Sequence, residues 1–154
     1  MKKTSMRETA IPNPALKPFG VLVGEWKTIG THGDLPDTEL HGRTTFEWFE
    51  NGAFLMIRSE INDPRFPTGI AILGSDNVND EYFMLYFDER GISRKQNVFF
   101  QDNVLKWWRN GKDFSQRYTW AITDDGNTII GKGEMSKDGS VWKKDLDLTY
   151  TRIE

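Results

Sequence analysis

Residues 81–122 read EYFMLYFDERGISRKQNVFFQDNVLKWWRNGKDFSQRYTWAI. Four runs rich in aromatic and β-branched side chains, 81–88, 92–101, 103–109 and 113–122, follow one another almost without interruption. Glu89-Arg90-Gly91 and Asn110-Gly111 are tight-turn chemistry. A parallel pair would need a crossover of about a dozen residues, and none fits between these runs. The stretch therefore reads as an antiparallel meander.

The same texture extends in both directions. Strands are expected near 21–31, 40–50, 53–62 and 69–75 before this stretch, and near 127–136 and 140–152 after it. Glu50-Asn51-Gly52, Asp76 to Asp80, Asp124 to Asn127 and Lys137 to Ser140 separate them as turns. No segment carries a three-turn amphipathic stripe. About ten meandering strands either leave two sheet edges open or close on themselves, and closure removes the edges. The expected fold is all-β: one antiparallel up-and-down barrel over residues 19–154. Residues 1–18 read as an N-terminal tail. Pro12, Pro14 and Pro18 disfavour a regular helix there, and at most Asn13 caps a short turn beginning at Pro14.

The chain of 154 residues is long enough to bury a core in one domain. A net charge of -3 argues against a nucleic-acid partner. There is no cysteine, so thiolate chemistry and disulfides are excluded. No apolar run has the length of a secretory core or a membrane span, so a cytoplasmic location without a membrane partner is expected.

Alternation along each strand assigns faces. Trp26, Thr28, Gly30 and His32 share one, as do Thr44, Phe46 and Trp48. Tyr82, Met84, Tyr86 and Asp88 oppose Phe83, Leu85 and Phe87. Phe114, Gln116, Tyr118 and Trp120 oppose Ser115, Arg117 and Thr119. Trp142, Leu146, Leu148 and Tyr150 oppose Lys143, Asp145 and Asp147. The strand 53–62 is apolar on both faces, and its inward side stays open at this level.

Gly24-Glu25-Trp26 opens the first strand and Tyr150-Thr151-Arg152 closes the last. This pairing resembles the calycin superfamily of lipocalins and fatty-acid-binding proteins. More closely, the stretch from about Phe19 to Ile153 is similar to a bacterial lipocalin-like family whose domain has no assigned function. The matching segments are Gly24-Glu25-Trp26, residues 41–48, 86–91, 114–117 and the Trp142 to Arg152 ending. The resemblance implies a ligand-binding barrel with Arg152 packed over Trp26 as the plug of its closed end. Nitrobindins, haem-binding relatives, ligate haem through a His in the C-terminal part of the barrel. This chain has no His after His41, so neither haem nor another cofactor is expected.

Several clusters are candidates for chemistry. Arg58 and Glu60 share a face, and Asp88 ends a nearby strand; together they would anchor a polar ligand or exchange protons, whereas the plainer reading is a surface ion pair. Arg90, Arg94, Arg109 and Arg117 lie on neighbouring strands or turns and would hold a carboxylate or phosphate. Fatty-acid-binding proteins use lumenal Arg and Tyr in this way, which brings in Tyr118 and Tyr150. His32 and His41 flank an acidic loop, Gly33 to Glu39, better read as a lid over the barrel mouth than as a metal site. Trp107 and Trp108 must face opposite sides, one lumenal and one on an outer patch suited to a dimer contact. No nucleophile motif or phosphate-binding Gly-rich loop occurs, so no residue is assigned a catalytic role.

The leading expectation is a barrel for a hydrophobic small molecule with a polar or anionic end, held by Arg58, Glu60, Tyr86, Asp88, Arg94, Arg117 and Tyr118. The second is an enzyme using Arg, Asp and Glu for acid–base work. The third is an interaction protein that forms a homodimer through an outer aromatic face.

Overall fold

The computed structural model describes residues 10–154; the first nine residues of the expected tail lie outside the described residues. Eleven strands follow one 3-10 segment, Pro14–Leu22. They are β1 (Gly24–His32), β2 (Leu35–Phe49), β3 (Phe54–Ile61), β4 (Gly69–Asp76), β5 (Glu81–Asp88) and β6 (Ser93–Gln101). Then come β7 (Val104–Arg109), β8 (Ser115–Ile122), β9 (Thr128–Ser136), β10 (Lys143–Lys144) and β11 (Leu146–Arg152). From β1 to β9 each strand pairs antiparallel with the next. β11 lies between β9 and β1, which closes the sheet. Ten strands thus form the barrel, and β10 is a two-residue extension along β9.

β2 begins at Leu35 rather than near 40, so all but Gly33 and Asp34 of the expected loop from Gly33 to Glu39 is strand. Two further boundaries differ from the sequence expectation. The first strand begins at Gly24 rather than at 21, because residues 14–22 coil into the 3-10 segment. This segment is no loose tail. Asn13 caps it by accepting a hydrogen bond from the Ala15 N–H at 3.0 Å. Leu16, Phe19 and Leu22 have no exposed surface. Phe19 meets Tyr82 edge-on at 4.7 Å and stacks on Phe100 at 5.0 Å, while the Tyr82 hydroxyl donates to the Ala15 carbonyl at 2.7 Å. The segment stoppers one end of the barrel, and apolar burial drives it there.

The second difference is a break at Asp145. Lys144 faces Glu134, but Leu148 faces Gly131. Four steps on one strand therefore oppose three on the other, a β-bulge that turns the local side chains over. Asp145 was expected beside Lys143 and Asp147 on the polar outer face; it is instead buried, with 6% exposure.

Inward positions otherwise follow alternation. On β3 the inward set is Leu55 and Ile57, both buried, and Arg58 and Glu60 point outward. At the stoppered end the interior is solid, with Trp26, Phe46, Leu55, Leu73, Leu105 and Ile129 almost fully buried. Towards the other end it opens into a cavity. Among the described residues no helix is long and apolar enough to cross a membrane.

Candidate functional site

The cavity measures about 570 Å3. Its walls include Ile57, Ala71, Met84, Leu148 and the rings of Trp107, Tyr118, Trp120 and Phe114. Its mouth is bounded by the β1–β2 turn at His32 to Leu35, the loop at Arg65 to Pro67, the start of the β5–β6 turn at Arg90, and the bulge at Asp145. The β1–β2 connection is thus at the mouth, but as the tight turn Gly33-Asp34 rather than the Gly33 to Glu39 lid loop that was expected.

One side of the mouth is a saturated ion pair. The Asp88 carboxylate has no exposed surface. It accepts from the Tyr86 hydroxyl at 2.8 Å, from Arg90 Nη2 at 2.7 Å and from the Arg90 backbone N–H at 2.9 Å. The Arg90 side-chain hydrogen bonds hold it far below the usual carboxylate range. Burial, reinforced by the Asp88 bond, pushes the Tyr86 phenol up to about 12. The close packing needs Gly69: a Cβ there would sit 2.9 Å from the Tyr86 ring. Asp88, Tyr86 and Arg90 thus brace this side of the mouth through direct hydrogen bonds.

The opposite side is built on Asp145. His32 Nδ1 accepts the Asp34 backbone N–H at 3.0 Å, which leaves the proton on Nε2. Nε2 donates to Asp145 Oδ1 at 3.0 Å, and Gln116 Nε2 donates to Oδ2 at 2.8 Å. Burial, with the Asp145 charge added, pushes the Tyr118 phenol well above its ordinary value. The Tyr118 ring lies 4.1 Å from Trp107 and nearly parallel to it. The β9 glycine at 133 makes room, since a Cβ there would collide with the Tyr118 ring.

Between these groups stands Arg94. The Arg65 and Arg90 guanidiniums at the mouth are paired with Asp63 and Asp88. Among the described residues Arg94 has no ion-pair partner; its guanidinium carbon lies 4.7 Å from the Phe114 ring and 6.0 Å from that of Tyr86. Burial and the neighbouring Arg109 charge pull its pKa down, although an arginine stays protonated throughout the working range.

The structure therefore divides the expected site residues. Tyr86, Asp88, Arg94 and Tyr118 converge at or near the cavity. Arg58 and Glu60 do not: they pair with each other at 3.2 Å on the outer surface, more than half exposed. Arg117 is also outside, bonded to Glu134 at 2.8 Å and lying 3.8 Å from the Trp142 ring. Each correction has one cause, strand parity, which sends neighbours of inward residues outward. Trp107 lines the cavity, while Trp108 borders an outer recess with Arg117. His41 pairs with Glu39 on the surface at 2.8 Å.

Two groups escaped the sequence reading. Gln96 shares a face with Arg94 on β6, a signal that alternation offered. Asp145 had no such signal, because the bulge inverted its parity.

No family model matches the chain, and no curated relative matches it in sequence. The crystal structure of Rv2717c from M. tuberculosis is similar to it with a TM-score of 0.66 and 14% identity, covering 92% of this chain and 98% of that one. At that identity the likeness is one of fold, an antiparallel barrel.

Proposed function

We propose that the barrel binds a small, largely apolar molecule whose anionic end meets Arg94. The observation that carries this reading is a half-buried guanidinium without a carboxylate partner among the described residues, on the wall of a cavity of about 570 Å3. The cavity walls are mainly apolar and aromatic, which suits a hydrophobic body. An anion beside Arg94 would offset the repulsion it feels from Arg109 and replace lost hydration with charge-assisted hydrogen bonds. The Gly24-Glu25-Trp26 and Arg152 likeness to fatty-acid-binding proteins supports the same reading, since those barrels hold carboxylates on lumenal Arg.

The test is displacement of 1-anilinonaphthalene-8-sulfonate from the purified protein, with native mass spectrometry for any carried-over ligand. Saturable dye binding is expected, weakened about tenfold in Arg94→Met, which corresponds to one charge-assisted hydrogen bond. Absence of any saturable binding, or equal binding by Arg94→Met, refutes the reading.

A further inference from the structure

Arg94 has a second guanidinium beside it. Arg109 ends β7 and, like Arg94, has no ion-pair partner among the described residues. The two meet on one residue, Phe114. The Arg94 guanidinium carbon lies 4.7 Å from the Phe114 ring, and Arg109 Nη1 donates to the Phe114 carbonyl at 2.7 Å. Arg109 is close enough for its charge to lower the Arg94 pKa. Gly111, in the turn between β7 and β8, gives Arg109 its place: a Cβ there would sit 2.8 Å from Arg109 Nη1 and 2.9 Å from Nη2. The Phe114 bond fixes Arg109 but uses one corner of its fork of donors. Arg94 rests only against the rings of Tyr86 and Phe114. Both side chains are partly buried, and neither has an unpaired nitrogen sealed from solvent.

The carboxylates of the mouth are taken. Asp63 pairs with Arg65 and Asp88 with Arg90, while Asp145 accepts from His32 and Gln116. In the β7–β8 turn Lys112 and Asp113 are both exposed, and their charges cancel. This corner therefore keeps the positive charge of both Arg94 and Arg109.

We infer that the anionic end of the ligand is a phosphate monoester, held by Arg94 from the cavity and by Arg109 from the rim. This deepens the anion-binding reading above and rests on it. A monocarboxylate would neutralise one guanidinium and leave the other repelled in a partly desolvated place. A phosphate monoester carries a charge of about -1.5 to -2 near pH 7 and three acceptor oxygens, which arginine forks match bidentately. Arg94 lines the cavity and Arg109 stands just outside its lining, so the phosphate sits at the rim. The apolar body then lies inside, among Phe114, Trp107 and Met84.

Isothermal titration calorimetry at about pH 8, where the ester is a dianion, tests this. The probes share one body, 2-naphthyl phosphate and 2-naphthoate, and inorganic phosphate supplies the head alone. Both naphthyl probes are expected to bind, the phosphate roughly tenfold or more tighter. Inorganic phosphate should bind at least about tenfold more weakly than the ester, because it leaves the cavity walls unburied. In Arg109→Met the preference should shrink to near unity while 2-naphthoate keeps most of its affinity. In Arg94→Met both naphthyl probes should weaken together. Equal affinities of the two in the unaltered protein overturn the inference and leave the anion-binding reading standing. A preference that survives Arg109→Met also overturns it, as does inorganic phosphate binding as tightly as the ester. Failure of both naphthyl probes to bind refutes the anion-binding reading along with it. The comparison of probes needs no variant, so it holds even if a substitution disturbs folding.

Discussion

The guanidinium of Arg152 lies 4.2 Å from the centre of the Trp26 ring, its direct cross-strand partner between β1 and β11. It also donates to the carbonyls of Val23 at 2.6 Å, Val21 at 2.7 Å and Gly126 at 2.9 Å. One side chain therefore ties the 3-10 stopper, the first strand, the last strand and the β8–β9 turn together.

Lysine retains the charge of Arg152 but not its planar fork of donors. Arg152→Lys is expected to cost about 3 kcal/mol, from several lost charge-assisted bonds that do not add fully. Urea unfolding followed by tryptophan fluorescence measures this. A loss below half a kcal/mol would show that the plug contributes little.

Asp145→Asn replaces an acceptor with a donor against either His32 or Gln116, both of which donate to the carboxylate. The expected cost is about 1–3 kcal/mol. Nitrogen-15 NMR of the imidazole should show His32 protonated on Nε2 in the unaltered protein and redistributed between its nitrogens in the variant. The same tautomer in both would contradict the hydrogen-bond pattern at the mouth.

The alkaline limb of stability is set by lumenal phenols. Burial raises Tyr86 to about 12 and raises Tyr118 and Tyr150 as well, from an ordinary 10.0. The folded state therefore holds protons that the unfolded chain releases. This stabilisation is complete below pH 10.0 and is lost as pH rises towards and past 12. Phenolate absorbance should show these tyrosines titrating late, and Tyr86→Phe should remove part of the decline. Titration of every tyrosine at the ordinary value in the folded protein would contradict their burial.

At the acid end Asp88 acts with the opposite sign. Its folded value is depressed from 3.8, so its contribution is present above that pH and is lost only as pH falls well below it. Asp88→Asn should flatten the acid limb of a stability–pH profile. An unchanged acid limb would mean that the Arg90 pairing does not persist in solution.

Gly69→Val would drive a side chain into Tyr86, because a Cβ at position 69 would lie 2.9 Å from the ring edge and 3.1 Å from the hydroxyl oxygen. Overpacking here is expected to cost about 1–3 kcal/mol and to weaken dye binding by displacing Tyr86 from Asp88. Equal dye affinity with lowered stability would separate the bracing role from the binding site.

The order and nature of the strands were legible in the chain, since turn residues and alternating apolar runs are local signals. The Trp26–Arg152 plug was implied by the resemblance that Gly24-Glu25-Trp26 and Tyr150-Thr151-Arg152 carry. Alternation also set Tyr118 and Trp120 on the face opposite Arg117 and put Trp107 and Trp108 on opposite sides, but which face of the 53–62 and 81–88 strands is lumenal, and which of the two tryptophans, only the closed barrel decides. What the tertiary structure decided was everything that depends on strands far apart in sequence. The 3-10 stopper replaces the expected start of the first strand because Phe19 finds Tyr82 and Phe100 across the barrel. The bulge at Asp145 turns a carboxylate inward where His32 and Gln116 receive it, from 113 and 29 residues away. Parity is a property of one strand, whereas a bulge is a mismatch between two, so no reading of either strand alone could have found it.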